Sequence, residues 1–188
     1  MRIGIRLFVL LAFGLAGPRG AAQDGWAAAD AAVVRLRPSA FARLPAGVVK
    51  ALERRGCTIP QTYTSREPHN VISGEFARRG QTDWAALCSR DGRSSILVFW
   101  RGSAESVSEV GKAPDRTFLQ TVTEGGRVAY SRAIEPVGKE YILSHYQSYG
   151  GRKPPRIDHQ GINDAYVEKA STVLYYHRGR WLKLQGAD

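Results

Sequence analysis

The stretch Asn70–Trp100, NVISGEFARRGQTDWAALCSRDGRSSILVFW, constrains the fold more than any other part of the chain. Ser95–Trp100 is an apolar run rich in β-branched and aromatic residues, and the Asp91-Gly92 turn dipeptide separates it from the apolar run Trp84–Leu87. Two such runs around a turn signal read as neighbouring antiparallel strands. With the polar residues that precede Trp84, the whole stretch reads as strand, polar loop, strand, turn, strand.

Cys88 lies in this stretch, and the only other cysteine is Cys57. An even count in an exported chain argues for one structural disulfide, whereas a redox pair is usually close in sequence. The bridge would close a loop of about 32 residues and contribute roughly 3–4 kcal/mol in the chain-entropy description.

Export is read from the first 22 residues. Arg2 and Arg6 precede the apolar run Leu7–Ala16, Gly17-Pro18 breaks it, and Gly20-Ala21-Ala22 supplies small residues for signal-peptide cleavage after Ala22. That apolar run is too short to cross a bilayer as a helix. No other apolar stretch approaches 18 residues, so a soluble periplasmic or secreted protein is expected. Residues 23–38 are Ala-rich without a clear period and are expected to be a mobile lead-in. The formal charge is +10, and removing the leader leaves 24 basic against 17 acidic residues. That excess favours anionic partners, although no run of five basic residues concentrates it.

Phe41, Leu44, Val48 and Leu52 repeat at helical spacing. Pro45 suits a first turn, Arg54 and Arg55 suit the negative end of the helix dipole, and Gly56 suits the position after the helix. Beyond residue 70 most signals are β. Arg101–Arg116 reads as a polar loop with room for a short helix at Ala104–Val110. Thr117–Val122 and Arg127–Ile134 flank a Gly125-Gly126 turn, Lys139–His145 reads as a further strand, and Thr172–Tyr176 with Trp181–Leu184 makes a terminal hairpin. The expected class is α+β: an N-terminal amphipathic helix packed on one antiparallel, β-rich meander sheet of about seven to nine short strands, in a single domain over 39–188.

Gly74-Glu75-Phe76, Gly80, Asp83, Ala85 and Leu87 form the pattern G-[DE]-F-x3-G-x2-D-x-A-x-L. This pattern resembles one repeat of the FG-GAP/VCBS type, a β-propeller module whose loop oxygens bind calcium. The resemblance makes Glu75 and Asp83 the first and last candidate metal ligands. Ala77 and Arg79 stand where further oxygen ligands would be expected, and the carboxylates of Glu75 and Asp83 facing Arg78 and Arg79 favour a salt-bridged loop over a calcium site. No cofactor is expected. The runs D-H-x-G-I-N-D-A and K-A-S-x-V-x-Y-Y-H-R-G-R-W-L, with C-T-I-P-Q and G-x-T-D-W-A, resemble exported bacterial proteins of unassigned activity. That resemblance implies localisation and little chemistry.

For function, the catalytic candidates are Asp158, His159 and Asp164, a histidine flanked by carboxylates that would serve as a hydrolytic acid or base, with His145 or His177 able to join it. The competing reading of D-H-Q-G-I-N-D is a turn whose Asp and Asn bond their own backbone. No metalloprotease helix motif and no nucleophile elbow is present. The candidate binding surface is Tyr146, Tyr149, Arg152, Lys153 and Arg156, two aromatics beside a basic Gly/Pro loop. The leading expectation is therefore an exported binding or interaction module for an anionic polymer, a glycan or a protein partner. A small hydrolase and an inhibitor or immunity-like protein acting on a secreted enzyme are the alternatives. Nucleic acid is a poor partner for an exported chain without a basic-aromatic recognition motif.

Overall fold

The computed structural model describes residues 19–122 and 126–188. The apolar core of the expected leader, Leu7–Ala16, and Gly125 of the expected turn lie outside the described residues. In chain order the elements are helix α1 (Arg19–Ala31), β1 (Arg35–Leu36), α2 (Ala46–Arg54), β2 (Ile59–Pro60), β3 (Val71–Gly74), β4 (Asp83–Arg90), β5 (Arg93–Phe99) and β6 (Val107–Pro114). They continue with β7 (Leu119–Thr121), β8 (Val128–Tyr130), β9 (Arg132–Val137), α3 (Lys139–Tyr149), β10 (Gly161–Tyr166), β11 (Ala170–His177) and β12 (Arg180–Gln185). All pairings are antiparallel. β3-β4-β5-β6 form one four-stranded sheet and β9-β10-β11-β12 another, with β1-β2 and β7-β8 as small ribbons.

The two large sheets stack, where the sequence pattern suggested a single meander. The reason lies in β4 and β5, which are apolar on both faces. Successive side chains of a strand point to opposite faces. Ala86, Cys88, Leu97 and Phe99 face outward and are covered by Val48, Ala51 and Leu52 of α2. Ala85, Leu87, Ile96 and Val98 face the other way, and one helix cannot cover them. Ile134, Ile162 and Leu174 of the second sheet do so. The second sheet is apolar on its far face as well, where Val173, Tyr175, Leu182 and Leu184 pack with Ile142 of α3 and with Ile157. The result is four layers: α2, sheet, sheet, α3.

α2 buries one stripe, Val48, Ala51 and Leu52, and the chain reverses at Gly56, whose φ of +69° suits the left-handed conformation after a helix. The amide of Cys57 returns to the Leu52 carbonyl at 3.0 Å. Cys57 is thereby set beside Cys88 on β4, and the two form a disulfide.

Three other segments depart from the sequence pattern. Lys139–His145 is helical. Gly138 gives an extended N-cap, Glu140 favours the first turn, and Tyr141, His145 and Tyr149 stack at intervals of four, a helical spacing that their β propensity masks. Val107–Pro114 is an edge strand in which no residue is fully buried, so its polarity looked like a loop. A register shift opposite Ser94/Ile96 accompanies Gly111 at φ +67°. Residues 25–38 are built into the fold and are no loose lead-in. Arg35 donates to Asp30 at 2.7 Å and reaches buried Asp115 at 3.4 Å, and β1 pairs with β2. No described helix is long and apolar enough to cross a membrane.

Candidate functional site

A cleft of about 860 Å³ opens at the end of the sandwich where β3 leads into β4, β9 leads into α3, and β11 turns into β12. Five cations converge on it from four separate segments: Arg78 and Arg79 from the β3–β4 loop, Lys139 from the start of α3, Arg156 from the segment before β10, and Arg178 from the β11–β12 turn. All five are exposed, and none forms an ion pair or side-chain hydrogen bond with another described residue. Two carboxylates, Glu75 and Asp158, share the cleft with them. The local charge is therefore net positive.

The loops that carry these groups are fixed from below. Asp83 is fully buried. Its Oδ2 accepts the amides of Phe76 at 3.0 Å and Ala77 at 2.9 Å, while Oδ1 accepts Gln81 Nε2 at 2.7 Å and the Arg101 amide at 2.9 Å. A carboxylate with four donors organises the loop and has no lone pair turned toward a cation in the cleft. Gln160 then ties two walls together: its Oε1 accepts the Glu75 amide at 2.9 Å, and its own amide donates to the Glu75 carbonyl at 3.0 Å. Gly74 is required here, because a Cβ would lie 2.8 Å from Gln160 Oε1 and 2.7 Å from the Phe76 ring.

The third wall is an aromatic stack. The His159 ring lies parallel to Tyr175, with centroids 4.4 Å apart and 6° between planes. Nδ1 sits 2.9 Å from the Gln160 carbonyl, which can only accept, so Nδ1 carries the proton. Nε2 lies 3.8 Å from Asp158 Oδ1. The Tyr175 hydroxyl donates to the same Oδ1 at 3.1 Å and accepts the Asp158 amide at 3.3 Å. Burial, reinforced by the Asp158 charge, pushes the Tyr175 hydroxyl above its ordinary range. Beside this stack Tyr176 packs on Trp100 at 4.7 Å and Trp181 at 5.2 Å and turns toward the cleft.

The candidates read from the sequence separate cleanly. Asp158 and His159 line the cleft, as do Arg156, Glu75 and His177. Asp164 does not join them. It is a strand residue on the inner face of the second sheet, bonded bidentately to Arg132 at 2.8 Å through each oxygen. The turn reading of Asn163 and Asp164 gives way for the same reason, since both are paired within β10. Tyr146 and Tyr149 lie on α3, with Arg152 and Lys153 after it, outside the cleft lining. His145 is stacked between Tyr141 and Tyr149 on α3. Among the described residues no group of three or more His, Cys, Asp or Glu is placed to hold a metal ion.

Lys139, Tyr176 and Arg178 are the site residues that the sequence left unassigned, while Arg78 and Arg79, expected to salt-bridge Glu75 and Asp83, form no ion pair with another described residue. The five are scattered over a hundred positions, so no charge run announces them. No protein-family model, curated protein or solved structure matches the chain.

Proposed function

We propose that the protein is an exported binding module whose contact surface is this cleft and whose ligand is anionic. The observation that carries the reading is the convergence of five unpaired cations on one concavity against two carboxylates. Exposed charges placed this way raise the local concentration of an anion and steer its approach. The cleft also falls in the size range of ligand sites, toward its upper end. Export is supported by the leader-like first 22 residues and by the disulfide, a bond that persists in oxidising compartments.

The test is retention of the oxidised protein on an immobilised sulfated polysaccharide under a salt gradient. Arg78→Ser, Arg156→Ser and Arg178→Ser combined should elute at much lower salt than the parent. Arg152→Ser with Lys153→Ser and Arg90→Ser removes the same charge elsewhere and should elute close to the parent. Equal shifts for the two triple variants would mean that net charge alone governs binding and would remove the cleft from the account.

A further inference from the structure

We infer that the cleft takes an acidic oligosaccharide, with charged groups interrupted by hydroxyl-bearing sugar rings, rather than a uniformly charged polymer such as polyphosphate. The inference rests on the anionic-ligand reading above and adds the chemical class of the ligand.

Three observations lead to it. First, the cations are spread over four segments around about 860 Å³, so one small anion cannot reach them all. A chain with charges at intervals can. Second, Asp158 is 63 % exposed and Glu75 shares the same cleft. Facing an unbroken row of phosphates, both would be repelled. Facing a saccharide, each can accept hydroxyl donors that lie between the charged groups, and a hydrogen bond to a carboxylate is stronger than one to a neutral acceptor. Asp158 is preset for this role. The Tyr175 hydroxyl, which also accepts the Asp158 amide, holds it through one oxygen, Oδ1, and no described donor bonds Oδ2. Third, Tyr176 presents an aromatic ring braced by Trp100 and Trp181, suited to the apolar C–H face of a sugar. A phosphate chain has no such face. Charge, acceptor and apolar ring together fit a ligand that carries anion, hydroxyl and C–H surface on each unit.

Isothermal titration of the oxidised protein tests this with three probes: a uronate hexasaccharide, an inorganic polyphosphate of matching charge and a neutral glucose hexasaccharide. The uronate should bind more tightly than the polyphosphate, and the neutral sugar should bind much more weakly than either. Asp158→Asn keeps the Oδ1 acceptor for Tyr175, removes the charge and turns the free acceptor Oδ2 into an amide donor. It should weaken the uronate about fivefold through loss of the charged acceptor for a sugar hydroxyl, and tighten the polyphosphate about twofold by relieving repulsion. Tyr176→Ala, checked for an unchanged melting temperature, should weaken the uronate about fivefold through lost apolar contact and leave the polyphosphate unchanged. Tighter binding of both polyanions by Asp158→Asn would show that the carboxylate only repels, and would overturn the glycan assignment while leaving the anion-binding cleft standing. Preference for polyphosphate over uronate would overturn it in the same way. Failure of both polyanions to bind would overturn the inference and the functional reading together.

Discussion

Arg132 and the cations of the cleft carry the same charge in opposite surroundings. Arg132 lies between the two sheets with a side chain 1 % exposed. It grips Asp164 with two hydrogen bonds at 2.8 Å, donates to the Ser94 carbonyl and hydroxyl at 3.0 and 2.9 Å, contacts the Gly111 carbonyl, and stands 4.5 Å over the Phe118 ring. Every donor direction of its fork is turned to the protein. Arg78, Arg79, Arg156 and Arg178 are exposed and have no described partner. A buried charge must be paired, because desolvation is severe, whereas an exposed one holds its charge at little cost. The first arrangement welds the sheets, and the second leaves charge free for a ligand. Stability and binding should therefore respond to different arginines.

The largest effect should come from the buried side. Arg132→Ala leaves Asp164 and the Ser94 carbonyl without their partner and should cost about 3–5 kcal/mol in urea unfolding. Arg132→Met combined with Asp164→Leu should recover most of that loss. If the double variant is no better than the single, the cost comes from packing and not from the orphaned carboxylate. Gly111→Ala probes the same knot. A Cβ there would meet Arg132 Nη2 at 2.8 Å and Asp164 Oδ2 at 3.0 Å at a positive φ, so about 1–3 kcal/mol of destabilisation is expected.

Asp83→Ala sharpens the comparison for carboxylates. It strips the acceptor from the Phe76, Ala77 and Arg101 amides and should cost about 2–3 kcal/mol. It should also weaken cleft binding, since the loop bearing Arg78 and Arg79 loses its anchor. Asp158→Asn, by contrast, should leave unfolding within about 0.5 kcal/mol of the parent. Equal destabilisation by both would erase the distinction between the anchoring and the ligand-facing carboxylate.

Smaller again is the alkaline response. Burial pushes the Tyr130 hydroxyl well above the ordinary tyrosine value of 10.0, and Tyr175 and Tyr63 shift the same way. A raised folded-state value stabilises fully below the unfolded value and is lost as pH climbs past it. Stability should therefore fall above about pH 10, and Tyr130→Phe should flatten that fall. An identical slope in the variant would assign the loss to other groups. The smallest effect on unfolding belongs to Arg156→Ser, within about 0.5 kcal/mol of the parent, although its effect on ligand binding should be clear.

The two regions also differ in how far the sequence announced them. Local patterns were readable: the helical stripe at Val48 and Leu52 (its expected members Phe41 and Leu44 precede the helix), the Asp91-Gly92 turn, and the hairpin at Arg178-Gly179 rest on neighbours within a few residues. Stacking of two sheets follows from apolar residues on both faces of β4 and β5, but which partner covers the second face is a long-range fact. α3 was obscured because Tyr141, Ile142 and Tyr146 favour strands locally, while Ile142 alone is buried by the helix they form. For the site, Asp158 and His159 stood out as a catalytic pair, Arg156 as part of a binding surface and Glu75 as a metal ligand, three separate purposes. Their convergence depends on Gln160 joining two loops 85 residues apart, and no spacing rule reports that. Asp164 went astray for the complementary reason: its partner Arg132 is 32 residues away on the adjacent strand.

The most direct test is to map the contact surface residue by residue. Backbone amide shifts of the oxidised protein, recorded while the uronate hexasaccharide is added, should move at residues 75–79, 139, 156–160 and 176–179 and stay still at 146–153. Shifts concentrated at 146–153, or scattered evenly over the basic surface, would contradict the assignment of the cleft.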